Sequence, residues 1–384
     1  MGGKAVNSES LPEGWREVQL GEVCLIDQET LSSETPDDYC FQYISLSDVE
    51  KGNLIQTRKY KFSEAPSRAR RIVKQGDVLL ATVRSYLQGF YILKDEVEDC
   101  IASTGFAVLT AKRHLLDPAY LFQMLFSNRM LAIYHAANVG SNYPAINSSD
   151  IPKFKVCLPP LPEQKAIASL LATWDTAIEK TEALIEAKEK RFKWLLKRLT
   201  KPNKHWKKSV MGNAFELGRG RVISKKYLEE NKGIYPVFSS QTSNNGEFGR
   251  INTFDFEGDY LTWTTDGANA GEVFFRTGKF NCTNVCGTAK PKDEKEVYAC
   301  FIAYYLKGKT HKYVSYVGNP KLMNGVFGTI PIHYPSLSQQ QTIANVLSTT
   351  QREIILLEKL TERYGTQKRG LMQKLLTGQW RAKR

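Results

Sequence analysis

The chain has 384 residues, of which 42% are hydrophobic and 24% charged, a composition that excludes a disordered or collagen-like protein. This length predicts two or three domains, at about 100–200 residues each. No apolar run is long enough to cross a bilayer, and the N-terminal segment has no apolar stretch typical of a secretory signal. The net charge of +13 favours a polyanionic partner, most simply nucleic acid.

The seven cysteines predict reduced thiols and a cytoplasmic location, because their number is odd and no signal sequence precedes them. Cys282 and Cys286 are four positions apart, but no second pair accompanies them. A structural zinc site needs a fuller ligand set at recognisable spacing. We therefore interpret both as ordinary strand and turn residues.

Short elements alternate through the first part of the chain. Strands are predicted at Asp77–Val83, Phe90–Leu93 and Phe106–Leu109, and a helix at Pro118–Phe126. The helix begins with Asp117-Pro118-Ala119-Tyr120, which is close to the catalytic loop of adenine methyltransferases but lacks its second proline. Asp117 as the N-cap and Pro118 as the first helical residue explain this segment more simply.

Two long amphipathic helices follow proline-containing turns. The first is predicted from Glu163 to about Thr200, and the second from Gln339 into the C-terminal region. Their apolar residues recur at alternating steps of three and four, the heptad pattern of a coiled coil. Thr181 and Lys188 are imperfect members of the first stripe. The predicted seam residues are Leu171, Trp174, Ile178, Ile185, Phe192, Leu195, Leu347, Ile354, Leu357 and Leu371.

The two halves of the chain are an internal repeat. A shift of 176 positions places Pro335 on Pro159, Gln340 on Gln164 and Leu347 on Leu171. Upstream, a tryptophan precedes a glycine by six positions in both halves, and a Gly-Asp pair opens a strand in both. In the second half the corresponding strand is predicted at Tyr260–Thr265 and the following short helix at Tyr298–Leu306.

This order predicts an α+β fold in which two mixed globular modules are separated by two long helices. If the halves are related by a pseudo-twofold axis, the helices pair as an antiparallel coiled coil. The predicted domains are residues 1–157 and 202–333 for the globular modules, and 158–201 and 334–384 for the helical spacers.

The chain resembles the DNA-specificity subunit of type I restriction-modification systems. The resemblance rests on the Trp15-to-Gly21 opening, the Gly76–Leu80 strand, the Leu158–Ala168 turn and helix start, and the C-terminal Gly370–Gly378 segment. It covers about residues 11 to 381. The second half departs at Ser336-Leu337-Ser338, which replaces two prolines, and at Val210-Met211 in the opening.

The resemblance implies a function and a set of partners. Each globular module would be a target recognition domain that reads one half of a split double-stranded DNA site, and the helices would set the spacing. Two methyltransferase subunits would dock on the helices and methylate adenine N6 with S-adenosylmethionine. Restriction subunits would add cleavage with ATP and Mg²⁺. The chain itself would bind no cofactor and no membrane.

The residues independently favour a protein without catalysis. A phosphate-binding Gly-x4-Gly-Lys-Ser/Thr loop is not found, and the five histidines lack the context of a nucleophile and its base. One alternative is a fused methyltransferase or nuclease, which lacks a supporting motif. The others are a basic, purely structural coiled-coil adaptor and a nucleic-acid-binding scaffold without sequence specificity.

The candidate DNA-binding residues are basic residues and polar loop residues of both modules. Cations interleaved with aromatic residues suit phosphates, whereas arginine, glutamine, asparagine and aspartate side chains can read base edges. Asp266, for example, can accept a hydrogen bond from cytosine N4. In the first module the candidates are Arg58, Lys59, Lys61, Arg68, Arg70, Arg71, Arg84, Ser85, Tyr86, Gln88, Asn142 and Tyr143. In the second they are Arg219, Arg221, Lys225, Gln241, Asn244, Thr265, Asp266, Asn269, Asn319 and Lys321.

Overall fold

The computed structural model describes residues 11–137 and 145–382. Its internal contacts divide the chain into two compact units. Unit 1 contains the described residues up to Thr181 together with those from Leu360 onward, and unit 2 contains Glu182–Lys359. Within the described part, no helix is both long and apolar enough to cross a membrane.

Unit 1 holds, among its described residues, two four-stranded sheets and two strand pairs. The antiparallel sheet has the order Cys24–Ile26, Phe106–Ala111, Val78–Ala81, Phe90–Ile92. The mixed sheet has the order Arg58–Lys61, Cys40–Ile44, Cys100–Ser103, Ala69–Val73, and its central pair is parallel. The strand pairs are Arg16–Gln19 with Lys155–Leu158, and Val49–Glu50 with Asn53–Leu54.

Unit 2 repeats the two sheets and the first strand pair with the same neighbours. Its antiparallel sheet has the order Phe215–Arg219, Cys286–Pro291, Tyr260–Thr264, Val273–Arg276. Its mixed sheet has the order Glu247–Ile251, Lys232–Phe238, Lys279–Cys282, Phe256–Glu257, again with a parallel central pair. Its strand pair is Lys207–Val210 with Pro331–Tyr334. The internal repeat predicted from the sequence is therefore confirmed in the topology.

The repeated Gly-Asp pair has a conformational cause. Gly76 and Gly258 both have positive φ angles, 90° and 108°, which glycine adopts readily and other residues rarely do. Their N–H groups donate to the carbonyls of Leu93 and Gly278. Each glycine thus turns the chain into the central strand of its antiparallel sheet.

The short helices of unit 1 are Leu20–Val23, Pro118–Leu125 and Asn128–Ala137, and those of unit 2 are Met211–Ala214, Lys225–Glu230, Ala299–Leu306 and Asn324–Thr329. Two of them, Pro118–Leu125 and Ala299–Leu306, lie close to the helices predicted from the sequence. Asp117 caps its helix, since its carboxylate accepts a hydrogen bond from the N–H of Tyr120 at 3.0 Å. The prediction that this segment is a helix start is confirmed.

The two long helices span Leu161–Leu199 and Leu337–Leu376, which we call the central helix and the C-terminal helix. Each begins two residues earlier than predicted, at equivalent leucines, so the serines around Leu337 do not displace the second start. In unit 1, Leu171 packs in the core with Met372 and Leu375. Trp174 contacts Tyr364 edge to face, with ring centroids 5.7 Å apart.

The same two helices also pair inside unit 2. There Phe192 clusters with Leu347 and Ile354. Lys188, the charged member of the predicted seam, reaches Glu353 of the C-terminal helix at 2.7 Å. In both units the beginning of one helix lies against the end of the other, so the antiparallel pairing and the α+β class are confirmed. A polar pair in an apolar seam favours one register over its alternatives.

A buried glutamine fixes the first turn of each long helix. The amide of Gln164 donates to the carbonyls of Leu115 and Pro159, both at 2.9 Å, and its oxygen accepts from the N–H of Asp117 at 2.8 Å. Each long helix is thereby tied to the start of the short helix that packs on its sheet.

Gln340 repeats this arrangement in unit 2. Its amide donates to the carbonyls of Glu296 and Pro335, both at 2.9 Å, and accepts from the N–H of Tyr298 at 2.9 Å. Both side chains are buried. We call these two groups the glutamine clamps.

Replacement of Gln340 by alanine is expected to destabilise unit 2 by about 2–4 kcal/mol, because it leaves several buried backbone groups without a hydrogen-bond partner. Urea or thermal unfolding measures the loss. Gln341→Ala is the matched control, since Gln341 is exposed on the same helix turn. Equal effects of the two substitutions would show that the clamp contributes nothing.

Candidate nucleic-acid interface

The loop Arg84–Gln88 of unit 1 follows the central strand of the antiparallel sheet and is strained. Arg84 and Gln88 both have positive φ angles, 51° and 58°, on either side of a short turn, Ser85–Leu87. Such a conformation costs about 1–2 kcal/mol for a residue with a Cβ atom. Ser85 is buried, whereas Arg84, Tyr86 and Leu87 are exposed.

The equivalent loop of unit 2 has glycines at these positions. It runs from Gly267 to Gly271, and these two residues have φ angles of 94° and 90°. Unit 2 therefore makes the same turn with residues that adopt it readily. Strain that persists in one copy of a repeat points to side chains retained for function. This comparison favours Arg84 and Gln88 among the predicted residues.

An open pocket of about 820 Å³ lies beside the Arg84 loop. Its basic and acidic lining side chains are Lys51, Arg68, Arg84 and Glu50. Apolar residues complete it, namely Leu46, Val49, Ile55, Ala81, Val83, Leu87 and Ala145, together with Ser47 and Gly89. Ile55 and Leu87 are 60% and 55% exposed, which is high for residues of this type. Sequence reasoning missed both, although Leu87 stands out as an apolar residue inside a polar loop.

Asp48 anchors the hairpin that forms one side of this pocket. Its carboxylate is buried and accepts from Ser45 N at 2.9 Å, from Ser45 Oγ at 2.5 Å and from Gln56 Nε2 at 2.9 Å. Burial opposes ionisation, but these hydrogen bonds outweigh it and hold the pKa of Asp48 below its usual range. Arg58 lies 3.8 Å from the same carboxylate.

The basic residues predicted in unit 1 differ in their exposure and in the side chains that they contact. Lys59 and Lys61 are exposed on an edge strand of the mixed sheet. Arg70 stacks on Phe62, with its guanidinium carbon 4.8 Å from the ring centroid. Arg71 is mostly buried in an ion pair with Asp27 at 2.9 Å. The ion pair gives Arg71 a structural role, and its contact with DNA stays an untested prediction.

In unit 2 the structure brings Arg219 together with Asp266 and Thr265. The Nη2 group of Arg219 lies 3.3 Å from the Asp266 carboxylate and 3.4 Å from the Thr265 hydroxyl, and its Nε group donates to the carbonyl of Asn284. The Thr265 hydroxyl itself donates to Asp266 at 2.6 Å. Asp266 thus orients an exposed guanidinium, a role that the sequence did not indicate.

The predicted residues Asn319 and Lys321 lie beside this cluster. The backbone of Lys321 pairs with Asp266 and with Ser315. The N–H of Gly267 donates to the carbonyl of Pro320 at 3.0 Å. Asn319, Lys321 and Asn269 are all exposed. The candidates Asn142 and Tyr143 of the first module lie outside the described residues.

The remaining candidates of unit 2 lie on separate features. Lys225 is exposed at the start of its short helix, while Arg221 pairs with Asp255 at 2.8 Å and stacks on Tyr227. Asn244 is exposed with a φ angle of 48°, and the side chain of Gln241, in the same loop, donates to the carbonyl of Glu247 at the start of the next strand.

A buried arginine supports that loop. The guanidinium of Arg276 lies over the rings of Phe238 and Phe274, 3.6 and 4.6 Å from their centroids. Burial lowers its pKa to about 10, so the group stays charged at neutral pH. Gly246 has a φ angle of 80°, which explains the glycine there, and a Cβ atom at this position would also lie 2.9 Å from the guanidinium. Over the ranges 11–137 and 145–382, no cluster of three or more histidine, cysteine or acidic residues could hold a metal ion.

Comparison with known proteins identifies the family. The model of the type I restriction modification DNA specificity domain matches residues 12–189 and again residues 203–363. A putative type I specificity subunit N-terminus from Mycoplasma pneumoniae is 50% identical over 135 residues, which are 35% of this chain and 72% of that protein. The MpnII type I restriction enzyme specificity subunit of the same organism is 44% identical over 34% of this chain and 40% of its own length.

Solved structures agree on the fold. The S subunit of a type I restriction-modification system from M. genitalium superposes with a TM-score of 0.67 at 16% identity, over 96% of this chain and 98% of that one. The HsdS subunit from Thermoanaerobacter tengcongensis gives a TM-score of 0.52 at 22% identity, over 97% of this chain and 99% of that one. With the family model matched in both halves, the chain belongs to the type I restriction-modification DNA specificity family.

Proposed function

We propose that this chain reads DNA sequence for a type I restriction-modification complex, and that each unit reads one half of a two-part duplex site. The observation that carries the proposal is the combination of one repeated topology with different side chains at the equivalent loop. Unit 1 presents Arg84, Tyr86 and Gln88 there, whereas unit 2 presents Asn269 and the Arg219–Asp266 pair.

This division suits recognition of two unrelated half-sites. Each unit has its own copy of the sheets and of the glutamine clamp, and these fix where the loop lies within that unit. Side chains that differ between the loops determine which base edges each can contact, because the major groove presents a distinct donor and acceptor pattern for every base pair. The exposed Lys59, Lys61 and Lys225 supply phosphate contacts that position the unit without selecting a sequence.

In this proposal the two long helices bind the partner subunits and set the distance between the two half-sites. The family relationship suggests that two methyltransferase subunits dock on them and that restriction subunits join the complex. Several apolar side chains of these helices stay exposed within unit 2, as expected of a docking surface. They are Leu184, Trp194, Val346, Ile355 and Leu356, with exposed fractions from 41% to 56%. The paired helices would also set the number of base pairs between the half-sites.

Catalysis belongs to the partner subunits in this account. S-adenosylmethionine would bind the methyltransferase subunits, and ATP and Mg²⁺ would bind the restriction subunits, all in the cytoplasm. This chain would contribute the sequence specificity that directs adenine-N6 methylation and cleavage.

Selection of duplexes from a random library by the chain with its methyltransferase subunits is expected to return a two-part motif with a constant gap. Sequencing of the bound pool provides the measurement, at a fixed salt concentration because phosphate contacts depend strongly on salt. Binding without any motif would instead support the nucleic-acid-binding scaffold without sequence specificity.

The pure chain is expected to transfer no methyl group from S-adenosylmethionine to DNA, and addition of the methyltransferase subunits is expected to produce transfer at adenine. A radiolabelled methyl transfer assay measures both. Turnover by the chain alone, purified to homogeneity, would overturn the assignment of catalysis to the partners.

Gln88→Gly is expected to stabilise unit 1 by a few tenths to about 1 kcal/mol, because it relieves a positive φ angle. The same change is expected to weaken binding to one half-site by about 1–3 kcal/mol if the amide contacts a base. Gln88→Ala is the control, since it removes the amide but keeps the strain. Unchanged DNA affinity in both variants would exclude Gln88 from the interface.

A further inference from the structure

The pocket beside the Arg84 loop presents apolar groups where a DNA-binding surface is expected to be charged. Leu87 and Ile55 are more than half exposed, and they line this pocket together with Arg68 and Arg84. An exposed apolar patch bordered by charged side chains is typical of an interaction site. The two arginines outnumber the one acidic side chain of the pocket, Glu50, and favour a partner that combines negative charge with an accessible apolar group.

A DNA duplex offers such a combination at one place in its grooves. The phosphates supply the negative charge, and among the base edges of the major groove only thymine presents an apolar group, its C5-methyl. The other edges present hydrogen-bond donors and acceptors, which would leave Leu87 and Ile55 without a complementary contact.

The structure also explains how these side chains are held out to a partner. Leu87 sits on the strained turn between Arg84 and Gln88, whose backbone is fixed by hydrogen bonds from Leu87 N to Arg84 O at 2.8 Å and from Gln88 N to Ser85 O at 3.0 Å. Ile55 follows the hairpin anchored by Asp48, and its N–H donates to the Asp48 carbonyl at 2.8 Å. Both apolar groups are thus presented by ordered backbone rather than by loose loops.

We propose that Leu87, with Ile55 in the same pocket, is a specificity-determining residue that contacts the C5-methyl group of a thymine in the half-site read by unit 1. The inference rests on the proposed function and adds to it the chemical identity of one recognised base. In the equivalent loop of unit 2 the residue at this place is Ala270, which is buried, so the contact is specific to unit 1.

The test replaces thymine by deoxyuridine, which lacks only the methyl group and keeps every hydrogen-bonding atom. The half-site of unit 1 is first identified as the half of the selected motif that changes in the Arg84→Ala protein. Affinities are then measured for the full chain with its methyltransferase subunits, on duplexes with each thymine of that half replaced in turn.

One deoxyuridine position is expected to weaken wild-type binding about fourfold, the effect of failing to bury one methyl group. Leu87→Ala protein is expected to bind the thymine duplex more weakly and to lose its sensitivity to deoxyuridine at that position. Leu25→Ala is the control, since Leu25 is also an exposed leucine of unit 1 but does not line the pocket, and it should remain sensitive.

Three results would overturn the inference while leaving sequence-specific DNA reading intact. They are a half-site without thymine, wild-type binding that is insensitive to every deoxyuridine, and a Leu87→Ala protein that remains as sensitive as the wild type. Failure to select any motif would instead overturn the proposed function itself. The two failures are therefore distinguishable.

Discussion

The glutamine clamps are the interaction on which the placement of the reading loops depends. Each long helix is amphipathic and would be marginal on its own, and its sheet module must meet it at a fixed angle and register. Gln164 and Gln340 provide this connection, because one amide satisfies backbone groups from both the long helix and the short helix. A group buried so completely cannot shift without losing several hydrogen bonds at once.

A rigid connection allows the loops to vary. Both units turn the chain at the same place with two positive φ angles, yet unit 2 uses glycines where unit 1 uses Arg84 and Gln88. The sheets tolerate this difference because the residues of the turn are not among those that pair between the strands. The side chains of the loop can therefore differ between the units while the surrounding packing stays the same. Recognition of two different half-sites would require such a difference.

The repetitive and local features were predictable from the sequence. Heptad spacing predicted the helix seam because side chains three and four residues apart share a face of a helix. The antiparallel sheets were partly predicted, since their strands are short apolar runs. The mixed sheets were not predicted, because their parallel central pairs join strands that are distant in the chain and carry no local signal. Some of their strands, such as Arg58–Lys61 in unit 1, are mostly exposed and rich in charged residues.

The ion-pair partners of individual charged residues could not be predicted from the sequence either. Arg71 is in a dense basic segment, but its ion-pair partner Asp27 lies far away in sequence. Asp266 was expected to face a base on its own, whereas it pairs with Arg219. The clamps left a usable signal, since Gln340 aligns with Gln164 at the start of the two long helices. A polar residue repeated at the start of two amphipathic helices indicates a buried hydrogen-bonding role.

The central claim is that two equivalent units read two half-sites independently. Library selection with Arg84→Ala and, separately, with Asp266→Asn protein tests it most directly, in each case with the methyltransferase subunits present. The account predicts that each substitution changes the preferred bases in one half of the motif only, that the two halves differ, and that the gap stays constant. A single substitution that alters both halves, or two substitutions that alter the same half, would contradict it.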